Sequence, residues 1–197
     1  VLRKRYIEEV TRQALKDGYT QVISLGAGFD TLAWRLHQEH KAIHFIEIDH
    51  PATSTSKHQA VGNIASNLEL LAVDLAEHDL QQVLENHPGF DASKPTIYIC
   101  EGVLMYLPPE AVSGLFSKLK NLSGSGTRFV FTALAPNGSP NHNTGLLLRL
   151  YLRFLSEPLA FGLERSDVSS FVAAQNFKLL EDVEDLDLAP RYLQGMP

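Results

Sequence analysis

Apolar residues recur along the chain in two alternating rhythms, and the alternation predicts its elements. From Arg3 to Lys16, the residues Tyr6, Ile7, Val10, Ala14 and Leu15 fall at helical spacing, and Gly18 marks the end of that helix. A short apolar run, Gln21–Leu25, then meets Gly26-Ala27-Gly28, and Thr31–His40 returns to helical spacing with Leu32, Trp34 and Leu36 inside it. The cycle repeats. Ile43–Ile48 reads as a strand, and Pro51 opens a helix, because proline is favoured in a first turn. Leu68–Val73 and Thr96–Cys100 are strands, with a helical stretch Leu80–Asn86 between them. Pro108-Pro109-Glu110 opens a helix through Lys120, Ser123–Gly126 is a turn, and Thr127–Leu134 is a further β-prone run. Ala135–Thr144, rich in Asn, Pro, Ser and Gly, reads as a loop. Helical patterns at Leu146–Leu155 and Asp167–Gln175 precede a last expected strand, Lys178–Val183.

Five strands separated by helices imply repeated βαβ units. The strand segments are almost wholly apolar rather than alternating, as strands buried on both faces are. The expected fold is therefore α/β, a doubly wound, mostly parallel sheet. No internal boundary or repeat divides the chain, and its 197 residues fit one domain with a sizeable core.

Composition narrows the function. With 17 Lys+Arg against 23 Asp+Glu the formal net charge is −6, which argues against nucleic acid as a partner. No window approaches the roughly 18 uninterrupted apolar residues of a membrane span. The longest candidate, Leu146–Leu159, is broken by Arg149, Arg153 and Glu157. The single cysteine, Cys100, cannot form an internal disulfide, which fits a reducing cytoplasm, and it reads as a small buried strand residue. His37, His40 and His44 straddle a helix end and a strand without an acid or cysteine to complete a metal set, so they read as surface residues and no metal is expected.

In open α/β sheets ligands bind beyond the carboxyl ends of the strands. The polar positions at those ends are Gly26 and Gly28, Glu47 and Asp49, Asp74, and Glu101. A strand–glycine turn–helix lets a ligand approach bare backbone amides. Glu47 and Asp49 follow Gly26 by 21 and 23 residues, the spacing at which a carboxylate can accept hydrogen bonds from ribose hydroxyls. Asp74 is equally placed to cap the helix that follows it. A dinucleotide site would want a third glycine, but that position is Thr31. Asp30 would also set a negative charge against a pyrophosphate. An adenosine ligand without phosphates fits better, and S-adenosylmethionine is the commonest.

The run from Gln21 to Thr31, followed by Trp34-Arg35-Leu36, resembles the leucine carboxyl methyltransferase family, which includes bacterial O-methyltransferases of polyketide biosynthesis. Phe45–Pro51, Val73-Asp74-Leu75 and Glu101–Leu107 resemble its further motifs, and Arg3–Ile7 its arginine-bearing helix. The resemblance runs from about Arg3 to Val183 and implies a Rossmann-like methyltransferase fold. It also implies S-adenosylmethionine as cofactor. In that pattern Arg3 pairs with the cofactor's carboxylate, with Arg5 as its rival. Gly26 lies against the amino acid part, Asp49 binds ribose, Asp74 and Leu75 frame adenine, and Glu101 approaches the amino group. Tyr106 sits by the methyl-transfer cavity. Family members usually carry further helices ahead of the arginine helix, so residues 1–197 are expected to form a methyltransferase domain without that cover.

Methyl transfer needs alignment and exclusion of water more than proton transfer. A carboxylate acceptor needs no general base, and no His-Asp pair stands at telling spacing for a hydroxyl. The expected activity is O-methylation of a carboxylate or hydroxyl on a small metabolite, with a protein C-terminal carboxylate less supported. A nicotinamide-dependent oxidoreductase and a non-catalytic cofactor-binding module are the alternatives. The acceptor and the oligomeric state are not legible.

Overall fold

A computed structural model describes residues 2–62, 65–122, 126–136, 139 and 159–193. Its centre is one five-stranded sheet in which every pairing is parallel. The strands are β1 (Gln21–Leu25), β2 (His44–Asp49), β3 (Leu68–Ala72), β4 (Thr96–Cys100) and β5 (Thr127–Phe131), in the spatial order β3-β2-β1-β4-β5. The helices are α1 (Leu2–Lys16), α2 (Leu32–Glu39), α3 (Pro51–Val61), α4 (Leu80–Glu85), α5 (Pro109–Leu122), α6 (Arg165–Ala174) and α7 (Asp185–Tyr192). A 3-10 turn, Leu104–Tyr106, follows β4.

Helices cover both faces, as expected for a doubly wound sheet. β1 and β4, in the middle, are buried along their whole length, whereas β3 and β5 at the edges are only partly covered. One face packs Val22, Phe45, Leu68, Ile97 and Ile99 against α1 and α2, with Trp34 at its margin. The opposite face packs Ile23, Ile46 and Tyr98 against α4, α5 and α6. At its centre Phe116 meets Phe129, Phe131, Phe171 and Phe177 edge-to-face, with ring centroids 4.9 to 5.6 Å apart.

Local chemistry explains the element ends. α1 stops at Gly18, whose φ is +94°. The Gly18 amide donates to Leu15 O and the Tyr19 amide to Ala14 O, which together form a Schellman motif. Asp79 caps α4 by accepting from the amides of Gln81 and Gln82.

Two expectations need correction. Lys178–Val183 joins no sheet; it runs as a strap between α6 and α7. Leu180 stands 68% exposed, and the carboxylate of Glu181 binds Tyr6 and Arg191. Side-chain bonds to neighbouring helices stand where a strand ladder was expected. The strand starting at Thr127 ends at Phe131; just beyond it the Thr132 amide donates to Cys100 O and the Thr132 hydroxyl accepts from the Gly102 amide at 2.8 Å. The expected helix Leu146–Leu155 lies outside the described residues, as does most of the expected loop and of the Ser123–Gly126 turn.

The sequence pattern also passed over α7. Pro190 interrupts it, and Leu188 is its buried anchor. The helix is nonetheless started by a capping box between Glu184 and Asp187, and it docks on α1. Arg191 donates to Glu9 at 2.6 Å and to Glu181 at 3.0 Å, and the Tyr192 hydroxyl donates to Glu9.

Candidate functional site

Side chains alternate across a strand, so residues two apart share a face. Ser24, Glu47 and Asp49 therefore lie on the same face as Val22, Phe45 and Ile99, the face covered by α1 and α2. Register aligns Ser24 with Glu47 on one side and with Ile99 on the other. At the carboxyl ends and just beyond them come Asp49, the glycine turn and Glu101. The sequence-predicted positions are thus gathered at one end of the sheet.

Gly26 has φ +63°, and an added Cβ would lie 2.3 Å from Cγ2 of Val103. The turn after β1 and the turn after β4 press together there, and only glycine permits it. Gly28 also has a positive φ, and its amide donates to the Asp49 carboxylate. The other Asp49 oxygen accepts from the His50 amide at 2.6 Å. Asp49 is held by the backbone on both sides while staying partly exposed at the site.

α1 delivers cations to the same place. Arg3 Nε donates to Glu101 Oε1 at 2.7 Å, and Lys4 Nζ lies 2.9 Å from Glu101 Oε2. Lys4 also pairs with Asp30. The Glu101 side chain is only 9% exposed, whereas Arg3 and Lys4 are half exposed. Arg5 turns outward and stacks on Tyr192, its guanidinium 5.1 Å from the ring centre. Of the two rivals, the geometry brings Arg3 to the site.

Asp30 reaches into α2, where its Oδ1 accepts from the Leu32 amide at 2.5 Å. Burial pushes the Asp30 carboxyl up, but Lys4 and that amide outweigh it and hold it below the usual value. Burial likewise disfavours the charged Lys4, and Asp30 and Glu101 more than compensate, raising its pKa. A cleft of about 290 Å³ opens between α1, the turn and Glu101, lined by Lys4, Ile7, Phe29, Asp30 and Arg35 among others.

The remaining expected residues stand as follows. Glu47 faces away from solvent and forms an ion pair with Lys57 of α3, so its carboxylate is already engaged. Asp74 Oδ1 accepts from the Ala76 amide and so caps the turn after β3, while Asp79 is the residue that caps α4. Leu75 and Tyr106 are both exposed by more than a third, and neither lines that cleft. Cys100 is fully buried and burial pushes its thiol up to about 12.

Sequence reasoning saw no His-Asp pair, but the fold brings one together. His50 Nε2 lies 3.7 Å from Asp74 Oδ2, at the ends of neighbouring strands. His50 Nδ1 accepts from the Ala52 amide, so in the neutral ring the proton sits on Nε2, facing Asp74. His37 is buried in α2 rather than on the surface. Among the described residues no three His, Cys, Asp or Glu side chains gather as a metal site. Lys4 and Lys57 were missed by sequence reasoning, since a lysine on a helix carries no signal until its neighbours are known.

Residues 1–120 match the sequence profile of the leucine carboxyl methyltransferase family, more than half of the chain. The chain belongs to that family. A relative from Mycolicibacterium vanbaalenii, whose name describes an S-adenosyl-L-methionine-dependent methyltransferase, is 28% identical over all of this chain and 66% of its own. Another so named, from Mycolicibacterium paratuberculosis, is 35% identical over 131 residues, 64% of this chain and 42% of its own. The matched part of the chain thus spans 42% to 66% of these relatives' own length. Solved structures bear out the Rossmann-like methyltransferase fold. A candidate methyltransferase of Thermobifida fusca YX superposes with TM-score 0.66 at 16% identity, over 94% of this chain and 73% of that one. Human N-acetylserotonin methyltransferase, solved with its cofactor, superposes with TM-score 0.57 at 15% identity, over 84% of this chain and 44% of that one.

Proposed function

We propose that the chain is an S-adenosylmethionine-dependent O-methyltransferase acting on a carboxylate or hydroxyl of a small metabolite. The observation that carries this reading is the shared Glu101 carboxylate, flanked by Arg3 and Lys4 at the mouth of the glycine turn. An amino acid zwitterion needs both signs within a few ångströms. Arg3 offers a planar fork for a carboxylate, and Glu101 accepts from an ammonium. Asp49 is presented by two backbone amides and suits ribose hydroxyls, and Leu75 supplies an apolar edge for a base. Asp30, at the start of α2, opposes a pyrophosphate and so disfavours the nicotinamide alternative.

Bound S-adenosylmethionine supplies an electrophilic methyl group on a positively charged sulfur leaving group. The residues of the chain then bind, orient and exclude water; the gain is in proximity and alignment. A carboxylate acceptor is ionised at neutral pH and needs no proton removed. Tyr106, on the 3-10 turn that follows Glu101, lines the acceptor side in this reading. The acceptor is a small molecule in this reading, and neither nucleic acid nor a membrane is involved. Among the described residues no helix is long and apolar enough to cross a bilayer.

Calorimetric titration with S-adenosylhomocysteine tests the reading, with NADH as control. One-to-one binding is expected, weakened about tenfold or more in Asp49→Ala, since a lost charged hydrogen bond costs about 1.5–3 kcal/mol. Binding of NADH alone would overturn it.

A further inference from the structure

Helix α3 is anomalous. Its sequence, PATSTSKHQAV, has no apolar stripe, and the side chains it buries are Ser54 and Lys57. Lys57 is 5% exposed, as secluded as a core residue. Its ammonium makes two contacts, one to the Glu47 carboxylate of β2 and one to the backbone carbonyl of Asp30 in the glycine turn. Glu47 Oε2 has no well-angled hydrogen bond, so the Glu47 contact is an ion pair by proximity.

Stability does not account for such a pair. Two buried charges lose hydration that their attraction barely restores, and well-packed apolar residues of similar size often serve as well or better. The contact an apolar side chain could not supply is the one to Asp30 O. That carbonyl is two residues beyond Gly28, whose amide binds Asp49, and it belongs to the residue whose carboxylate holds both Lys4 and the Leu32 amide. Fixing Asp30 from its carbonyl side fixes all three partners at once.

We propose that Lys57 is a positioning residue. It sets the glycine turn through the Asp30 carbonyl and so places Asp49 and Lys4 for ligand binding, with Glu47 serving to orient the lysine. The consequence for ligand affinity rests on the S-adenosylmethionine reading above; the effect on the turn does not.

The test compares the wild type with Lys57→Met and with the double variant Lys57→Met/Glu47→Leu, which leaves no unpaired charge. Three readouts are taken: thermal midpoint, S-adenosylhomocysteine affinity by calorimetry, and amide hydrogen exchange by NMR in the ligand-free protein. The double variant is expected to melt within a few degrees of the wild type. Its affinity should nevertheless fall about tenfold, and the amides of Gly28, Asp30 and Leu32 should exchange faster. Affinity within twofold of the wild type together with unchanged exchange would overturn the proposal. So would a loss in Lys57→Met that the double variant restores, or a lower affinity without faster exchange, since the pair would then act by packing or by another route. If the wild type itself fails to bind S-adenosylhomocysteine, the cofactor reading falls and the exchange comparison alone decides the role of Lys57.

Discussion

The two faces of the sheet are built by different rules. Beneath α4, α5 and α6 the interior is dry and aromatic, with Phe116 ringed by four other phenylalanines. Beneath α1, α2 and α3 it is interleaved with buried polar groups: Thr11, Ser24, His37, Glu47, Ser54 and Lys57. Strand alternation is the cause, because the parity of β1, β2 and β4 that faces α4, α5 and α6 is apolar beyond its first residues, Gln21, His44 and Thr96, whereas the other carries Ser24, Glu47 and Asp49 towards the carboxyl ends. The first face holds the molecule together, and the second presents chemistry at its upper rim. A protein that packed both faces like the first would be more stable and would have nothing with which to hold a charged ligand.

The contrast is open to breaking, most severely at Phe116. Phe116→Ala should destabilise by about 3–5 kcal/mol, lowering the melting midpoint by on the order of 10 °C. Affinity for S-adenosylhomocysteine measured well below that midpoint should be unchanged; a parallel loss of affinity would show that the faces are not separable. Glu101→Gln should do the reverse. Its partners Arg3 and Lys4 are half exposed and lose little, so the midpoint should move by only a few degrees. Calorimetry should meanwhile show affinity reduced roughly tenfold to a hundredfold, about 1.5–3 kcal/mol.

Smaller effects sharpen the same division. Asp79→Ala removes the cap of α4, on the dry face, and should cost about 1 kcal/mol in urea unfolding with no change in ligand affinity. The least effect expected is a pH slope. Burial raises the Glu47 carboxyl above its ordinary value of 4.5 in spite of Lys57, so the folded chain holds that proton more tightly than the unfolded one. The group therefore adds stability as pH is lowered from neutrality towards about 4.5, and that contribution is lost as pH rises through the folded value. Glu47→Gln lacks it. Urea unfolding at pH 7.5 and pH 5 should show the wild type gaining on the variant at the lower pH; a gap that closes instead would mean that Lys57 dominates the titration. Asp30 works in the opposite sense and lower window, its contribution fading only as pH falls below the usual carboxylate range.

What the sequence made legible follows from which signals are local. Strands such as Thr96–Cys100 declared themselves because a doubly buried strand must be apolar throughout. The glycine turn was readable because positive φ and close approach demand glycine at Gly26 whatever surrounds it. Asp49 and Glu101 were readable from their distance along the chain to that turn. By contrast α7 and the strap before it owe their conformation to partners on α1 more than 170 residues away, as in Tyr6–Glu181 and Arg191–Glu9, and no local pattern encodes that. Lys57 was hidden for the same reason, since its burial, its ion pair with β2 and its hydrogen bond to the glycine turn are properties of the fold. The His50–Asp74 approach arises from adjacent parallel strands, whose order the sequence does not state.

The docking of α7 on α1 also bears on the order in which the molecule is completed. Glu9 and Arg191 are 182 residues apart, and a chain made from its N-terminus acquires Arg191 long after α1 has emerged. Joining them closes nearly the whole described chain into a loop, an entropic step whose penalty grows only logarithmically with length but which must come late. The helix that brings Arg3 and Lys4 to Glu101 is thus clamped on its outer side by α7, so the last of the described helices also steadies the site.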